Sequence, residues 1–345
     1  MKQKVLLGSY TKAESKGIYQ VTLDTDAGRL SDLQLVAEAD NPTYLVESKN
    51  KQYVYSVGRV NGLGGTISWR CSDNGERYEF VNAVTAEGSS PCFVSISRDL
   101  VFGANYHKGC TDVLRVGKDG SLTLTDNVQH SGSGPNKERQ AGPHAHYADV
   151  TPDGKYLVVV DLGTDQVYTF AIDYDSGKLS SASVYQCEPA QGPRHMVFHP
   201  TQSVAYLFTE MSNEVVVLAY TESNGSFTRL QTVPTLPADF KEFSGGAAIR
   251  ISSDGKYLYA SNRGHESIVV FSVADDGRSV SFVEHVPTEG KHPRDFNIDP
   301  SGAYLIVANM QTNNLTLFSR DANSGKLRLL QKDFKAPEAV CIVYQ

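Results

Sequence analysis

The stretch Arg294-Asp-Phe-Asn-Ile-Asp-Pro-Ser-Gly-Ala-Tyr-Leu-Ile-Val-Ala-Asn309 shows the unit from which the whole chain is built. An alternating strand runs into the turn Asp299-Pro-Ser-Gly302, and a nearly continuous apolar strand follows it. Two more strands complete the unit, so that four are predicted, at residues 294–298, 303–308, 314–319 and 326–330. Because the second strand is apolar on both faces, we expect it to be buried between two neighbouring sheets.

The same pattern recurs along the chain. The units begin at a proline or, once, a glycine, namely at Pro42, Pro91, Pro143, Pro193, Gly246, Pro293 and Pro337. These positions are spaced by 44 to 53 residues. Repeats of four short strands with a period of roughly 40 to 50 residues are typical of the blades of a β-propeller.

The two ends of the chain are complementary fragments of one further unit. Residues 337–345 contain an inner strand alone, whereas residues 1–41 contain the other three strands. We therefore predict an all-β fold, a seven-bladed β-propeller of four-stranded antiparallel blades, as a single domain over residues 1–345. The C-terminal strand, residues 338–344, should close the ring by pairing with the N-terminal strand, residues 4–10, because closure hides strand edges that would otherwise aggregate.

Composition excludes several classes of partner. The chain has 345 residues, a net charge of −7 and no basic run, which argues against nucleic acid or an anionic membrane as partner. No apolar run approaches the roughly 18 residues of a membrane span, and the N-terminus does not resemble a signal peptide, so a cytoplasmic protein is expected. The five cysteines lack paired metal-type spacing and are interpreted as small buried side chains in a reducing compartment. No cofactor is implied, and the oligomeric state is left open.

Departures from the repeat should mark the functional face. Consecutive strands are antiparallel, so the start of each inner strand and the end of each second strand meet around one mouth of the central channel. The residues that directly follow the proline or glycine at the start of each unit are Thr43, Cys92, His144, Arg194, Ala247, Arg294 and Glu338. At the ends of the second strands they are Arg59, Asn105, Asp161, Glu210, Asn262 with Arg263, and Asn309. Arginines and a histidine facing one channel are costly to desolvate unless they hold an anion or a carboxylate.

Two side chains in these series are candidates for acid–base chemistry. Glu210 stands where neighbouring units carry asparagine, and it should face Arg194 of its own blade. His146 lies two residues beyond His144 and is expected on the same side of its strand. The asparagine side chains at the ends of the second strands can form hydrogen bonds with backbone groups of the turns, as short polar side chains often do. The predicted substrate-binding residues are Arg294, His144, Asn309 and Asn262.

Four motifs carry a resemblance to a known family. They are Gly142-Pro-His-Ala-His146, Thr151-Pro-Asp-Gly-Lys-Tyr156, Gly192-Pro-Arg-His195 and Ser261-Asn-Arg-Gly-His-Glu-Ser-Ile268. They resemble the seven-bladed lactonase family, which includes bacterial propeller-type 6-phosphogluconolactonases and the fungal carboxy-muconate cyclase. The resemblance covers essentially the whole chain. It implies the hydrolysis of a lactone, or ring closure to one, without a required metal.

The resemblance also implies a catalytic set. The His, Arg, Glu and second Arg proposed for the fungal cyclase match His146, Arg194, Glu210 and Arg263 by motif. Either His146 or Glu210 would be the general base, and a carboxylate beside two arginines should have a lowered pKa, which favours His146 near neutral pH. Arg194 would contact the oxyanion or a substrate carboxylate, and Arg263 with Arg294 would anchor a phosphate.

Other interpretations of the same residues stay open. Arg194 and Glu210 could be a purely structural ion pair. His144 and His146 could bind a metal, but no third ligand is evident, so no metal site is predicted. The remaining histidines at 195, 199, 265 and 292 are interpreted as surface or hydrogen-bonded residues.

Three functions fit this sequence. The first is hydrolysis of a phosphorylated sugar lactone, that is, a 6-phosphogluconolactonase of the pentose phosphate route, with a small anionic lactone as the partner. The second is a lactonase or cyclase for another acid, such as a muconate-type lactone. The third is a binding propeller without catalysis, since fold alone does not determine function.

Overall fold

The computed structural model describes residues 1–72 and 75–345, which form twenty-eight β-strands. No helix in this part of the chain is long and apolar enough to cross a bilayer. In chain order, the strands of the first half are β1 Lys2–Ser9, β2 Gly17–Asp24, β3 Arg29–Glu38, β4 Leu45–Glu47, β5 Tyr53–Val60, β6 Leu63–Ser72, β7 Arg77–Ala86, β8 Phe93–Ser97, β9 Leu100–Asn105, β10 Cys110–Val116, β11 Leu122–Gln129, β12 Ala145–Val150, β13 Tyr156–Asp161 and β14 Gln166–Asp173. Those of the second half are β15 Lys178–Gln186, β16 Pro193–Phe198, β17 Val204–Thr209, β18 Glu214–Thr221, β19 Ser226–Pro234, β20 Gly245–Ile251, β21 Tyr257–Arg263, β22 Ser267–Val273, β23 Val280–Pro287, β24 Pro293–Ile298, β25 Tyr304–Asn309, β26 Asn314–Arg320, β27 Leu327–Lys335 and β28 Ala339–Tyr344.

The strands form seven antiparallel four-stranded sheets, which are the blades of a propeller. Blades one to six consist of β4–β7, β8–β11, β12–β15, β16–β19, β20–β23 and β24–β27. The seventh blade has the order β28-β1-β2-β3, so it combines both ends of the chain. Leu6 pairs with Val343 and Gly8 with Cys341 across its β1 and β28. The predicted seven-bladed fold and the predicted closure of the ring are both confirmed.

The second strand of each blade lies in the hydrophobic interior, as its apolar sequence predicts. All six residues of β17 are buried, and in β25 only the first tyrosine is partly exposed. Val158 of blade three and Leu207 of blade four belong to one buried cluster, so neighbouring blades share a core. Burying an aliphatic side chain of this size stabilises the fold by about 1.5–3 kcal/mol.

The first strand of every blade lines the axis of the ring. Each of these inner strands contacts the inner strand of the next blade, and the contact of β28 with β4 completes the circle. Side chains that leave an inner strand toward the axis therefore enter a channel that all seven blades enclose.

Several inner strands carry a β-bulge close to their start. In β16, Pro193 pairs with Thr209 and His195 with Phe208, so Arg194 is an extra residue. The same irregularity makes His146 the extra residue in β12, Arg294 in β24 and Val340 in β28. A bulge bends the strand and redirects its side chain, and bulges are common beside active sites. Here the bulges aim their side chains at the ring axis.

Candidate active site

The bulged residues of different blades meet around a small cavity on the ring axis. Thr43, Cys92, His146, Arg194, Arg294 and Val340, which we call the axial residues, line it together with Tyr44, His195 and Asp295. Its volume is about 10 Å³. Each axial residue comes from a different blade and lies in its inner strand or, for Thr43 and Cys92, just before it, so the axis collects one side chain from each of six blades.

The strand register corrects the predicted series at two places. The sequence alignment put His144 and Glu338 beside Arg194, but His146 and Val340 hold the equivalent bulge positions. In blades three and seven the repeat proline stands three residues before the bulged residue, whereas in blade four it stands one residue before it. The Glu338 carboxylate instead accepts hydrogen bonds from backbone N–H groups of residues 12, 13 and 15, where it fixes a loop of blade seven.

Glu210 is also displaced by one position from the predicted series. Thr209, not Glu210, pairs with the first residue of its blade, as Asn309 does in blade six. Glu210 follows the end of β17, and in the next blade Arg263 follows Asn262 in the same way. Because they occupy equivalent positions in adjacent blades, Glu210 and Arg263 lie side by side at the mouth.

The carboxylate of Glu210 is the centre of an arginine cluster. Its Oε2 lies 2.8 Å from Nη2 of Arg263 and 3.2 Å from Nε of Arg194, while its Oε1 accepts a hydrogen bond from Nη2 of Arg139. Glu210 is only 9% exposed and Arg194 only 2% exposed. The structure thus brings together Arg194, Glu210 and Arg263, three of the four residues predicted as catalytic.

Backbone carbonyl groups hold the two deeper arginines in place. Nη1 of Arg194 donates to the carbonyl of Ala247 at 2.6 Å, and Arg263 donates to the carbonyls of Gly245 and Gly246 at 3.2 and 2.6 Å. A Cβ atom on Gly246 would lie 2.4 Å from the carbonyl oxygen of Thr209. Only glycine therefore allows blade five to approach blade four closely enough for this cluster to form.

The charges of the cluster shift one another's pKa values. Burial opposes ionisation of Glu210, but the adjacent Arg263 and Arg194 outweigh it and hold the pKa of the carboxyl far below its usual range. Burial, together with Arg263 and Arg294, lowers the pKa of Arg194 to about 9. Glu210 is thus ionised at neutral pH and a poor proton acceptor, while the excess of positive charge favours an anion at the mouth.

His146 is the fourth predicted catalytic residue, and it lies beneath this cluster. It is 5% exposed, and its Nδ1 is enclosed without a protein hydrogen bond. Burial and the nearby charge of Arg194 lower the pKa of His146 well below its ordinary value. The imidazole is therefore neutral at physiological pH and able to accept a proton.

Arg294 is the cation of the mouth that has no carboxylate partner. Among the described residues its guanidinium makes neither an ion pair nor a hydrogen bond, and its contact is with the ring of Tyr10, 5.7 Å from the ring centroid. Its charge nevertheless contributes to the lowered pKa values of Arg194 and His146, which places it in the same electrostatic environment. A free guanidinium beside three paired ones is an available site for a ligand anion.

The other predicted substrate-binding residues have partners within the protein. His144 precedes β12, stacks on Tyr106 with 4.3 Å between ring centroids, and has its Nδ1 2.7 Å from the Tyr106 carbonyl oxygen. The amide nitrogens of Asn262 and Asn309 donate to the carbonyls of Thr235 and Thr288, both at 3.0 Å. These contacts serve the blade backbone, in line with the structural role of such amides, and a contact with substrate stays a prediction.

Arg139 was not found from the sequence. It comes from residues 130–144, the longest connection between consecutive blades in the described chain. No motif marks it, and only the length of this loop could have drawn attention to it. Burial opposes the charge of Arg139, but hydrogen bonding to Glu210 more than compensates and raises its pKa. The loop thus completes the cluster from outside the inner strands.

The prediction that His195 is a surface or hydrogen-bonded histidine is wrong. It is 3% exposed, and neither of its ring nitrogens makes a hydrogen bond to the protein. Its ring centroid lies 5.2 Å from that of His146, below the mouth. An alternating strand would place Arg194 and His195 on opposite faces, but the bulge turns both toward the axis.

A larger cavity exists elsewhere but lacks this chemistry. It measures about 790 Å³, is open to solvent, and lies between blades seven and one, lined by Trp69, Phe80 and Arg59 among others. Arg59 donates to the carbonyl of Gly62 there, so this cation does not face the axis. In the described parts of the chain, no group of three or more His, Cys, Asp and Glu side chains is arranged to hold a metal ion.

Comparison with known proteins agrees with this geometry. A family model described as Lactonase, 7-bladed beta-propeller, matches residues 4–344. A 6-phosphogluconolactonase of Bacillus subtilis is 42% identical over 98% of this chain and 97% of its own. A solved structure of a Lactobacillus plantarum protein is 46% identical, with a TM-score of 0.96 and full coverage of both chains. The periplasmic gluconolactonase of Pseudomonas aeruginosa is 30% identical, with a TM-score of 0.93, covering 100% of this chain and 99% of that one.

Proposed function

The chain belongs to the lactonase family of seven-bladed β-propellers, and from this premise we propose that it hydrolyses a phosphorylated sugar lactone, with 6-phosphogluconolactone as its substrate. The observation that carries the choice of substrate is Arg294, a guanidinium without a protein partner beside a cluster in which three other arginines share one carboxylate. A phosphate dianion is the natural ligand for such a group, because a guanidinium can bind phosphate through two parallel hydrogen bonds.

The reaction is assigned to the axial residues. Neutral His146 accepts a proton from a water molecule, whose oxygen attacks the lactone carbonyl carbon. Arg194 stabilises the negative charge that develops on the carbonyl oxygen. The bond between that carbon and the ring oxygen then breaks, and the ring oxygen takes the proton from protonated His146 to become a hydroxyl, which returns His146 to its neutral form. The new carboxylic acid ionises at neutral pH, so one proton is released for each lactone opened.

Glu210 has a supporting role in this scheme. Its strongly lowered pKa makes it a weak base, so its function is to hold Arg194 and Arg263 in place. Arg263, which already donates to two backbone carbonyls, is a positioning residue and leaves the phosphate to Arg294.

The direct test is acid release from 6-phosphogluconolactone, followed with a pH indicator and compared with the spontaneous rate. We expect the protein to accelerate hydrolysis well above that rate and to be insensitive to a chelator. Glucono-1,5-lactone without the phosphate is the comparison substrate, and it should be hydrolysed with a much lower kcat/KM. A preference for the unphosphorylated lactone would contradict the substrate assignment, and no acceleration of either lactone would contradict the enzymatic one.

Arg294→Gln separates the phosphate contact from the chemistry. Loss of a charge-assisted bidentate contact, worth about 1.5–3 kcal/mol, should raise KM for the phosphorylated lactone by roughly 10- to 100-fold. The kcat/KM for the unphosphorylated lactone should change little. An equal loss on both lactones would show that Arg294 does not read the phosphate.

The pH dependence tests the base. Burial and Arg194 lower the pKa of His146 below its ordinary value, so the protonated, inactive form accumulates only in acid. We expect kcat/KM to persist below pH 6.5 and to fall only at lower pH, with the spontaneous rate subtracted. His146→Ala should lose roughly 10²- to 10⁴-fold in turnover, and its residual rate should lack this acidic limb. An unchanged limb in that variant would assign the proton transfer to another group.

We also propose a cytoplasmic location. It is supported by the cysteines, since all five are free thiols. Detection of activity in cytosolic rather than periplasmic or secreted fractions is the corresponding measurement.

The thiol of Cys92 lies on the axis but takes no part in the reaction. Burial raises its pKa to about 11, so it stays protonated and is not a nucleophile at neutral pH.

A further inference from the structure

A second layer of side chains lies beneath the axial residues. The residues that follow Thr43, Cys92, His146 and Arg194 are Tyr44, Phe93, Tyr147 and His195. Their rings form a continuous packed group, with Phe93 lying 4.3 Å from Tyr44, 4.7 Å from Tyr147 and 5.4 Å from His195 between centroids. Tyr44 and His195 of this layer line the axial cavity directly.

His195 is the one ring of this group with nitrogens to satisfy. Tyr44 and Phe93 show that an aromatic ring packs well in this layer, and a phenylalanine could fill the position in blade four without a polar atom. A buried nitrogen without a partner costs stability, whereas an apolar ring of similar shape does not. His195 has two such nitrogens, Nδ1 and Nε2. The cost indicates that the imidazole has a partner that is not a protein group.

The axial cavity offers that partner. Its volume of about 10 Å³ matches a single water molecule, and His146 and His195 both line it. Nδ1 of His146 is likewise enclosed without a protein hydrogen bond. A water molecule in this cavity would therefore have the polar partners that buried waters require.

We propose that one water molecule in the axial cavity links Nδ1 of His146 to the ring of His195, and that His195 is thereby a positioning residue for the base. Nδ1–H of His146 donates to the water, and the water donates to a nitrogen of His195. This arrangement keeps His146 in the tautomer protonated on Nδ1, with the lone pair of Nε2 directed to the mouth. The catalytic part rests on the proposed lactonase function, whereas the tautomer does not.

The tautomer can be measured directly. In protein labelled with ¹⁵N-histidine, two-bond ¹H–¹⁵N spectra distinguish a protonated from an unprotonated ring nitrogen, and the signals of His146 are identified by their loss in His146→Gln. We expect a protonated Nδ1 and an unprotonated Nε2 in the wild type. In His195→Phe the preference should be lost or reversed. A wild-type His146 protonated on Nε2, or a tautomer unaffected by His195→Phe, would overturn the proposal whether or not the protein hydrolyses any lactone.

Turnover gives the second readout. His195→Phe keeps the aromatic packing and removes both ring nitrogens, neither of which bonds to the protein and one of which is bonded to the proposed water, so its melting temperature should change little. Its kcat should nevertheless fall by roughly 10-fold or more, since a mispositioned base loses part of the 10²- to 10⁴-fold that a general base contributes. His195→Asn and His195→Gln place an amide near the positions of Nδ1 and Nε2, and the one that reaches the water should recover part of the rate. Undiminished kcat in His195→Phe would refute the positioning role.

His199→Phe is the matched control. His199 is also buried, but it lies in a turn of blade four, where its Nδ1 accepts hydrogen bonds from the backbone N–H groups of residues 201 and 202. Its replacement should lower the melting temperature and leave both the His146 tautomer and kcat unchanged. The opposite pattern is expected of His195→Phe, and similar behaviour of the two variants would point to a merely structural role for His195.

Discussion

Arg194→Lys is expected to lower the turnover of the phosphorylated lactone by roughly 10²-fold or more while the protein stays folded. Nη1 of Arg194 is held by the carbonyl of Ala247 and Nε faces Glu210, which orients the remaining nitrogen of the planar group. Lysine keeps the charge but cannot reproduce a fixed fork of donors. Turnover and melting temperature should be measured on the same preparation, so that loss of rate is not confused with loss of folded protein.

Two companion variants sharpen this result. Glu210→Gln removes the counter-charge of buried arginines, so it should lower both the rate and the stability, the latter by about 3–5 kcal/mol. Arg320→Lys is the control, since Arg320 is also buried but donates to Tyr259 and Gly302 in blades five and six. It should change stability alone. If Arg194→Lys and Glu210→Gln lower the melting temperature while turnover per folded molecule stays at the wild-type value, the cluster is a structural ion-pair network.

Deletion of residues 337–345 is expected to abolish cooperative folding. The deletion removes β28, which pairs with β1 from Val5 to Ser9 and carries four consecutive buried residues, Ala339 to Ile342. It also exposes the edge of β1 and opens the ring, so the truncated chain should aggregate. Circular dichroism during heating and size-exclusion chromatography provide the measurement. A truncated protein that retains the wild-type melting temperature would show that closure is not required.

A circular permutant provides the control for the truncation. The backbone of Gln345 donates to the carbonyl of Lys4, so a short Gly/Ser linker can join the two ends as a hairpin. New termini in the connection 87–92, between blades one and two, would keep every blade covalently continuous. This permutant should fold, because the strand pairings are retained and only their connection changes.

The fold could be predicted from the sequence because it depends on a repeated local pattern. The apolar second strand and the polar turns recur in each unit, and the ends of the chain supply complementary parts of one blade. Local patterning of this kind specifies strands, and a period of about 40 to 50 residues specifies blades. Neither needs knowledge of which residues lie opposite each other.

The site was only partly predictable because it depends on exact register. The motifs identified His146, Arg194, Glu210 and Arg263, and the structure places all four on the axis or at its mouth. The repeat proline is not a fixed marker of the bulge, however, because it stands two residues further from the bulge in blade three than in blade four, and this places His144 where His146 belongs. His195 also depends on this register, because strict alternation would turn its side chain away from that of Arg194, whereas in the structure both line the axial cavity.

Arg139 was missed for a different physical reason. It lies in the connection between blades two and three and reaches a carboxylate 71 positions further along the chain, and no local pattern encodes such a contact. Contacts of this kind follow from the folded ring and not from the strand pattern. Long loops between blades are therefore the places where sequence reasoning about propellers will most often be incomplete.

The bulge positions also bear on how such a protein can change its substrate. One axial residue comes from each of six blades and lines the axial cavity, whereas the core shared by neighbouring blades is built mainly from second and third strands such as β13 and β17. A substitution at Thr43 or Val340, neither of which belongs to these clusters, would alter the chemistry of the mouth and leave the shared cores in place. The substrate specificity can therefore change through single substitutions in individual blades. Evolution or a designer can explore new lactones by varying a few axial positions on an unchanged scaffold.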